Sequence, residues 1–194
     1  MKSLAMQLIP VFKIGILNAW IFILLVLLPL LLVGLFRRKV FKKTNSIHAF
    51  ILTSREKKIF IFSKVILFSV FIYSVFLPLK LETIWFYTGL PIYLLGLILY
   101  TIVWVNVATS QPDKPITKGL YHYSRHPMYV TFPLMFIGTG IATASWLFLV
   151  LSITLIITHF YNGTVEEREC LEAYGKAYQE YMDRTPKWVG IPKS

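Results

Sequence analysis

A single cysteine, Cys170, is all that this 194-residue chain carries. An intrachain disulfide is therefore excluded, and no thiol-based metal cluster fits. Acidic residues are scarce as well: nine stand against twenty lysines and arginines, giving a formal net charge of +11. Only 15% of residues are charged while 56% are hydrophobic. An ordinary soluble domain is ruled out by that balance, because a chain of this size cannot hide so much apolar surface. The basic residues cluster beside hydrophobic runs and form no stripe on a soluble fold, so their pattern reads as topology and anionic-lipid contact, with no nucleic-acid partner expected. No Gly-rich loop of the dinucleotide-binding kind is present, which argues against a Rossmann-type site. Met1 to Pro10 lacks the small-residue cleavage pattern of a secretory signal and is read as retained, and no carboxy-terminal lipidation box is found.

What the chain has in abundance is long apolar runs. Ile14–Phe36, Ile59–Leu79 and Ile84–Ala108 each reach the roughly 20 residues that cross a hydrocarbon core. Pro29, Pro78 and Pro91 kink or end these helices, and Lys64 is read as reaching back to the head groups. The fourth run, Tyr129–Phe160, would be about 48 Å long as one helix, which exceeds a core of about 30 Å. Gly138, Thr139, Gly140 and the Ala-Thr-Ala-Ser stretch at 142–145 offer a turn, so the run is expected to form a hairpin of two short helices, 129–142 and 145–161. The expected fold is an all-α integral membrane protein in one domain. It has five transmembrane helices, the last two a hairpin, and a carboxy-terminal amphipathic helix over 165–182. Three spans occupy 1–108, and 109–194 form the catalytic region.

Arg37, Arg38, Lys39, Lys42, Lys43, Arg55, Lys57 and Lys58 crowd the first loop against Glu56 alone. By the positive-inside rule this loop is cytoplasmic and the amino terminus outside. The segment after Ala108 and the carboxy-terminal region then share the cytoplasmic side. In the amphipathic segment, Cys170, Leu171, Tyr174, Ala177, Tyr178 and Tyr181 make one face, and Arg168–Glu172, Glu172–Lys176 and Lys176–Glu180 are i,i+4 pairs on the other.

Two polar clusters flank the hairpin. The first is Gly119 to Tyr129, with Tyr121, Tyr123 and Tyr129 as aromatic walls and Arg125-His126 as a cationic lip before Pro127 at a helix start. Such a lip suits a carboxylate or phosphate, and the tyrosines suit a purine or sugar. The second is Glu166-Glu167, which borders the inward face of its helix and can accept from an ammonium or from ribose hydroxyls. Metal binding by His122 and His126 is not expected, because Pro127 interrupts a regular helix and the other histidines, His48 and His159, are scattered. Ser124 and Cys170 lack a nucleophile–base arrangement.

Gly119-x-Tyr121-x3-Arg125-His126-Pro127-x-Tyr129, then Glu166-Glu167, Tyr174-Gly175, Tyr178-x2-Tyr181 and Pro186-x-Trp188 resemble the isoprenylcysteine carboxyl methyltransferase family over residues 105–190. Membrane phospholipid methyltransferases share the pattern, and sterol reductases share it more loosely. The resemblance implies a membrane-embedded methyltransferase that uses S-adenosyl-L-methionine on a lipophilic acceptor, foremost the carboxylate of a prenylated cysteine. Carried over, the cofactor-binding positions are Asn106, Lys114, Pro115, Ile116, Thr117, Tyr121, His126, Pro127, Met128, Tyr129 and Glu166. Glu167 and Arg125 are the catalytic candidates, with Glu167 the base if the acceptor is an amine. Where the family carries an arginine that steers the substrate carboxylate, this chain has Asn162, taken as a substrate residue. The alternatives are a phospholipid or amine N-methyltransferase of the same fold, a membrane reductase using NADPH on a sterol-like or polyprenyl substrate, or a non-catalytic membrane carrier or scaffold. A dry pocket would favour methyl transfer to an anionic acceptor by positioning and desolvation.

Overall fold

The computed structural model describes residues 5–37, 52–111 and 113–193. Among them are six α-helices and one 3₁₀ turn: α1 (Trp20–Phe36), α2 (Ser54–Phe76), α3 (Ile84–Ala108), the 3₁₀ turn Gly119–His122, α4 (Pro127–Ala142), α5 (Trp146–Tyr174) and α6 (Lys176–Arg184). No strand occurs among the described residues; two isolated bridges join Gln7 to Ser145 and Asn18 to Pro78. Three helices, α2, α3 and α5, are long and apolar enough to cross a membrane, and α1 and α4 are shorter apolar helices. Most of the basic stretch between α1 and α2, with Arg38, Lys39, Lys42, Lys43 and His48, lies outside the described residues.

Local chemistry fixes the helix starts. Thr53 and Glu56 form a reciprocal capping box at α2: Thr53 N donates to Glu56 Oε2 (2.8 Å) and Glu56 N donates to Thr53 Oγ1 (3.3 Å). Thr83 caps α3 and Ser145 caps α5, each accepting from the backbone N–H three residues on. Pro127 opens α4, a position where its missing N–H costs nothing.

The third span keeps the expected bounds, Ile84–Ala108, but three others shift. The second span starts earlier, at Ser54, and ends at Phe76, because the capping box recruits the charged residues 55–58 into the helix. The first begins only at Trp20. Residues before it are held in irregular chain: Asn18 Nδ2 donates to the carbonyls of Lys13 and Val75, Leu79 N donates to Leu17 O (3.1 Å), and Gln7 exchanges backbone bonds with Ala144 and Trp146. The expected separate helix over 165–182 is corrected too. α5 runs without interruption from Trp146 to Tyr174, and the break falls at Gly175, whose φ of 54° is a left-handed conformation that glycine tolerates at low cost. Only Lys176–Arg184 forms a separate helix.

α3 and α4 pack most closely, because glycines allow backbone to meet backbone. A Cβ on Gly138 would lie 2.8 Å from Gly89 O and from Tyr93 Cα, and one on Gly96 would lie 2.8 Å from Met135 N. Tyr93 stacks on Phe22 (4.0 Å between ring centroids) and donates its hydroxyl to Phe22 O (2.7 Å), tying α3 to α1. Between α2 and α5, Thr158 Oγ1 donates to Ser63 Oγ (3.1 Å) and Tyr73 OH pairs with Ser145 Oγ (3.0 Å).

The connections sort to two ends of the bundle. The amino-terminal segment, residues 77–83 and the turn at 143–145 bond to one another at one end; Lys80 N, for example, donates to Ala142 O (3.0 Å). Residues 118–126, the last turns of α5, α6 and the carboxy-terminal tail meet elsewhere, at the start of α4. Both polar clusters are part of that second assembly.

Candidate active site

Pro127 starts α4 where the chain must leave an irregular segment, and that segment is tied down bond by bond. His126 N donates to Ser124 Oγ (3.1 Å), and Ser124 Oγ reaches Lys187 O (3.4 Å). Tyr181 of α6 donates its hydroxyl to Tyr121 O (2.6 Å), Arg125 N donates to Pro186 O (3.0 Å), and Gly190 N donates to Tyr123 O (3.1 Å). The tail from Thr185 to Gly190 is thereby a second wall of the site.

Charge organises the centre. Glu167 is buried and serves three cationic partners: Arg125 Nη2 lies 2.8 Å from Oε1, Lys187 Nζ lies 2.9 Å from Oε2, and His126 Nε2 lies 3.4 Å from Oε1. Glu166 approaches the other ring nitrogen, with its Oε2 3.4 Å from His126 Nδ1. The imidazole thus sits between two carboxylates. Burial would push the His126 pKa down, but the two glutamates outweigh it and hold the pKa above the ordinary histidine value. Arg125 is further fixed through Nη1, which donates to Met182 O (2.9 Å). Burial raises the Tyr121 and Tyr181 hydroxyl pKa values, so both stay neutral donors.

Aromatic rings enclose the imidazole. Tyr129 stacks on it at 5.6 Å, Trp188 lies at 5.5 Å, and Trp188 in turn packs edge-on against Phe160 at 4.4 Å. Gly119 has φ of 61°, and its Cα rests on the Asn106 carboxamide so closely that any Cβ would collide with it. This contact brings the end of α3 to the tyrosine loop. The Asn106 Nδ2 atom is buried with no hydrogen-bond partner among the described residues.

The structure therefore gathers Arg125, His126, Tyr129, Glu166 and Glu167 into one cluster and sets Asn106 against Gly119 beside Tyr121. Ile116, Tyr121 and Met128 pack on the hydrophobic core, while Lys114 and Thr117 are exposed in the connection before the 3₁₀ turn and Pro115 is half-buried. His122 is exposed and faces Tyr123, apart from buried His126, so the two histidines do not share a site.

A cavity of about 330 Å³ adjoins the cluster. Tyr129 and Glu166 line it, as do Asn162, His159 and Glu169 of α5. From α2 come Phe60, Ser63 and Lys64. His159, Asn162, Glu166 and Glu169 recur at three- and four-residue intervals and so share one helix face.

Several participants were not singled out from sequence as site residues. Lys187 sits between Pro186 and Trp188, the two residues of the Pro-x-Trp pattern, and its ammonium completes the Glu167 pair. Tyr181 stands on one helix face and in the Tyr178-x2-Tyr181 pattern, with no site role assigned to it from sequence. Arg168, expected to pair along its own helix with Glu172, sends both terminal nitrogens to Glu56 of α2, at 3.1 and 3.0 Å. Lys176–Glu180 is found as expected, at 4.0 Å.

Fold and site together define an all-helical protein with apolar helices of membrane-crossing length and a charged, aromatic-walled site at one end of its bundle. Residues 85–177 match the phospholipid methyltransferase family. The chain is similar to the protein-S-isoprenylcysteine O-methyltransferase of Schizosaccharomyces pombe (strain 972 / ATCC 24843), 32% identical over 92 residues that cover 45% of this chain and 38% of that protein. It is also similar to the Xenopus laevis protein of the same name, 34% identical over 79 residues, 40% of this chain and 26% of the relative. The methanethiol S-methyltransferase of Pseudomonas sp. (strain GM41(2012)) is 36% identical over 74 residues, 37% of this chain and 27% of the relative. These matches cover well under two thirds of each relative. Over the matched part the chain is similar to isoprenylcysteine carboxyl methyltransferases, the resemblance that its motifs carry.

Proposed function

We propose that this chain is a membrane-embedded methyltransferase that uses S-adenosyl-L-methionine and acts on a lipophilic acceptor, foremost the carboxylate of a prenylated cysteine. The observation that carries the reading is the convergence of Arg125-His126, Tyr129 and Glu166-Glu167 around one imidazole, beside a cavity between helices. The residues fit the cofactor. Asn106 offers a buried donor without a partner among the described residues, next to a glycine cradle that a side chain would fill. Glu166 supplies an acceptor, and Tyr121 and Tyr129 supply aromatic walls. In this reading Asn106, Tyr121, His126, Tyr129 and Glu166, with the backbone of 114–117 and of Pro127-Met128, hold the cofactor.

When bound, S-adenosyl-L-methionine would supply an electrophilic methyl group, carried on a positively charged sulfur, for transfer to the acceptor carboxylate. Charge is dispersed in such a transfer, so a site that excludes water lowers the barrier. This chain's residues orient and desolvate. Arg125 is a positioning residue, since its two terminal nitrogens are taken by Glu167 and Met182 O. Glu167 is likewise the shared counterion of Arg125 and Lys187, and that occupation favours a carboxylate acceptor, which needs no base, over an amine.

The same reading takes the protein to cross the bilayer five times. The α4–α5 pair is a hairpin, the amino terminus lies outside, and the site faces the cytoplasm, in keeping with the basic residues that flank α2. A second acceptor class, an amine-bearing phospholipid, is favoured by one observation: two carboxylates, Glu166 and Glu169, line the cavity. The test is transfer of labelled methyl from S-adenosyl-L-methionine, by the purified protein, to a prenylcysteine or to an aminophospholipid. Labelled prenylcysteine ester is expected. Labelled phospholipid alone would replace the acceptor class, and no labelled product from either would overturn the reading.

A further inference from the structure

An anionic head group that enters the cavity between α2 and α5 meets two carboxylates on the α5 wall, Glu166 and Glu169. Both repel it. A carboxylate acceptor therefore requires a positive charge on the remaining wall, and that charge must not already be committed. Most cations near the site are committed. Arg125 and Lys187 share Glu167, Lys187 also donates to Thr164 Oγ1 (3.0 Å), and Arg168 is held by both oxygens of Glu56.

Lys64 differs from these. It is the one lysine or arginine among the described residues that line the cavity, and it forms no ion pair with a described residue. Its Nζ lies over the Phe60 ring, 5.0 Å from the centroid. The residue stands ten positions into α2, about 15 Å from the helix start at 1.5 Å per residue, within an apolar stretch where a charge is costly unless something uses it. Its neighbours match an amphiphile: Phe60 and Leu67 are apolar walls on the same helix, and Asn162 adds a carboxamide from α5.

We propose that Lys64 is the specificity-determining residue of the acceptor site, binding the carboxylate of the lipophilic acceptor while Phe60 and Leu67 receive its apolar chain. The assignment rests on the methyltransferase reading and names the residue that selects its substrate. It also accounts for product release, because the neutral ester has no charge left to pair with the ammonium.

The experiment is equilibrium binding by the purified full chain in lipid nanodiscs, with N-acetyl-S-farnesylcysteine and its methyl ester as probes and no methyl donor present. Wild type and Lys64→Arg are expected to bind the acid at least about tenfold more tightly than the ester, the scale of a charge-assisted contact. Lys64→Met and Lys64→Gln are expected to bind both about equally. Binding of S-adenosylhomocysteine should be the same in all four proteins. If Lys64→Met keeps the acid preference, or if wild type shows none, Lys64 does not bind the carboxylate; its ammonium then only reaches the head groups. Failure of the wild type to bind S-adenosylhomocysteine would overturn the methyltransferase reading separately.

Discussion

Glu167 holds Arg125 at 2.8 Å, and that pair fastens the segment just before α4 to the last turns of α5. Because Lys187 reaches the other carboxylate oxygen at 2.9 Å, one buried acid secures both a loop and the carboxy-terminal tail. Glu167→Ala would leave two cations without their counterion. It is expected to destabilise the protein by about 3 kcal/mol, as removal of one partner from a buried pair does. Glu167→Gln should cost less, since its one amide oxygen still accepts from Arg125 or Lys187, although its NH2 faces the other cation. Thermal unfolding of the two variants in one detergent checks the order.

A pH dependence follows from His126. Its folded pKa lies above the ordinary value because the neighbouring glutamates prevail over burial. A group whose pKa is raised on folding stabilises the protein fully below its unfolded pKa, about 6.5 for histidine, and loses that contribution as pH rises through the folded value. Thermal stability should therefore fall as pH is raised from about 6 through that higher value. His126→Gln should flatten this part of the profile while leaving the rest.

Helix packing makes its own prediction. A Cβ on Gly138 would meet Gly89 O and Tyr93 Cα, both backbone atoms of α3, at 2.8 Å. Gly138→Ala must therefore push α4 away from α3, at an expected cost of about 1–3 kcal/mol. Gly175→Ala meets open space, and its cost is confined to the positive-φ backbone (φ 54°, ψ −129°), about 1–3 kcal/mol. Unfolding midpoints should fall for both, with binding at the site spared in Gly175→Ala.

Tyr181→Phe removes one hydroxyl, which donates at 2.6 Å to Tyr121 O. A loss of about 1 kcal/mol is expected. Weaker binding of adenosyl compounds should accompany it, since Tyr121 is then less firmly placed. Calorimetry with S-adenosylhomocysteine gives both the affinity and its enthalpy.

Much of this arrangement could be read from local sequence. α3 was legible to the residue because Thr83 caps it and uninterrupted apolar chain follows. The turn at 143–145 followed from small residues in a run too long for one helix. Glu166-Glu167 and His126 were legible because polar groups beside apolar helices are rare. Other features depend on partners far along the chain. Ile14 to Ala19 is apolar enough for a helix, yet its backbone bonds to Phe76, Leu77 and Leu79, so α1 starts late. Arg168 has a glutamate four residues on, but Glu56 offers two oxygens in a fork that the guanidinium matches. The helix break at Gly175 was hidden because apolar spacing continues across it.

Binding of S-adenosylhomocysteine to the purified full chain tests the central claim most directly, with Glu166→Ala and His126→Ala measured beside the wild type and NADPH as the competing ligand. The account predicts that wild type binds S-adenosylhomocysteine and not NADPH, and that each substitution weakens binding at least about tenfold, as loss of a charge-assisted contact does. Binding of NADPH with none of S-adenosylhomocysteine, or affinity unchanged in both variants, would contradict it.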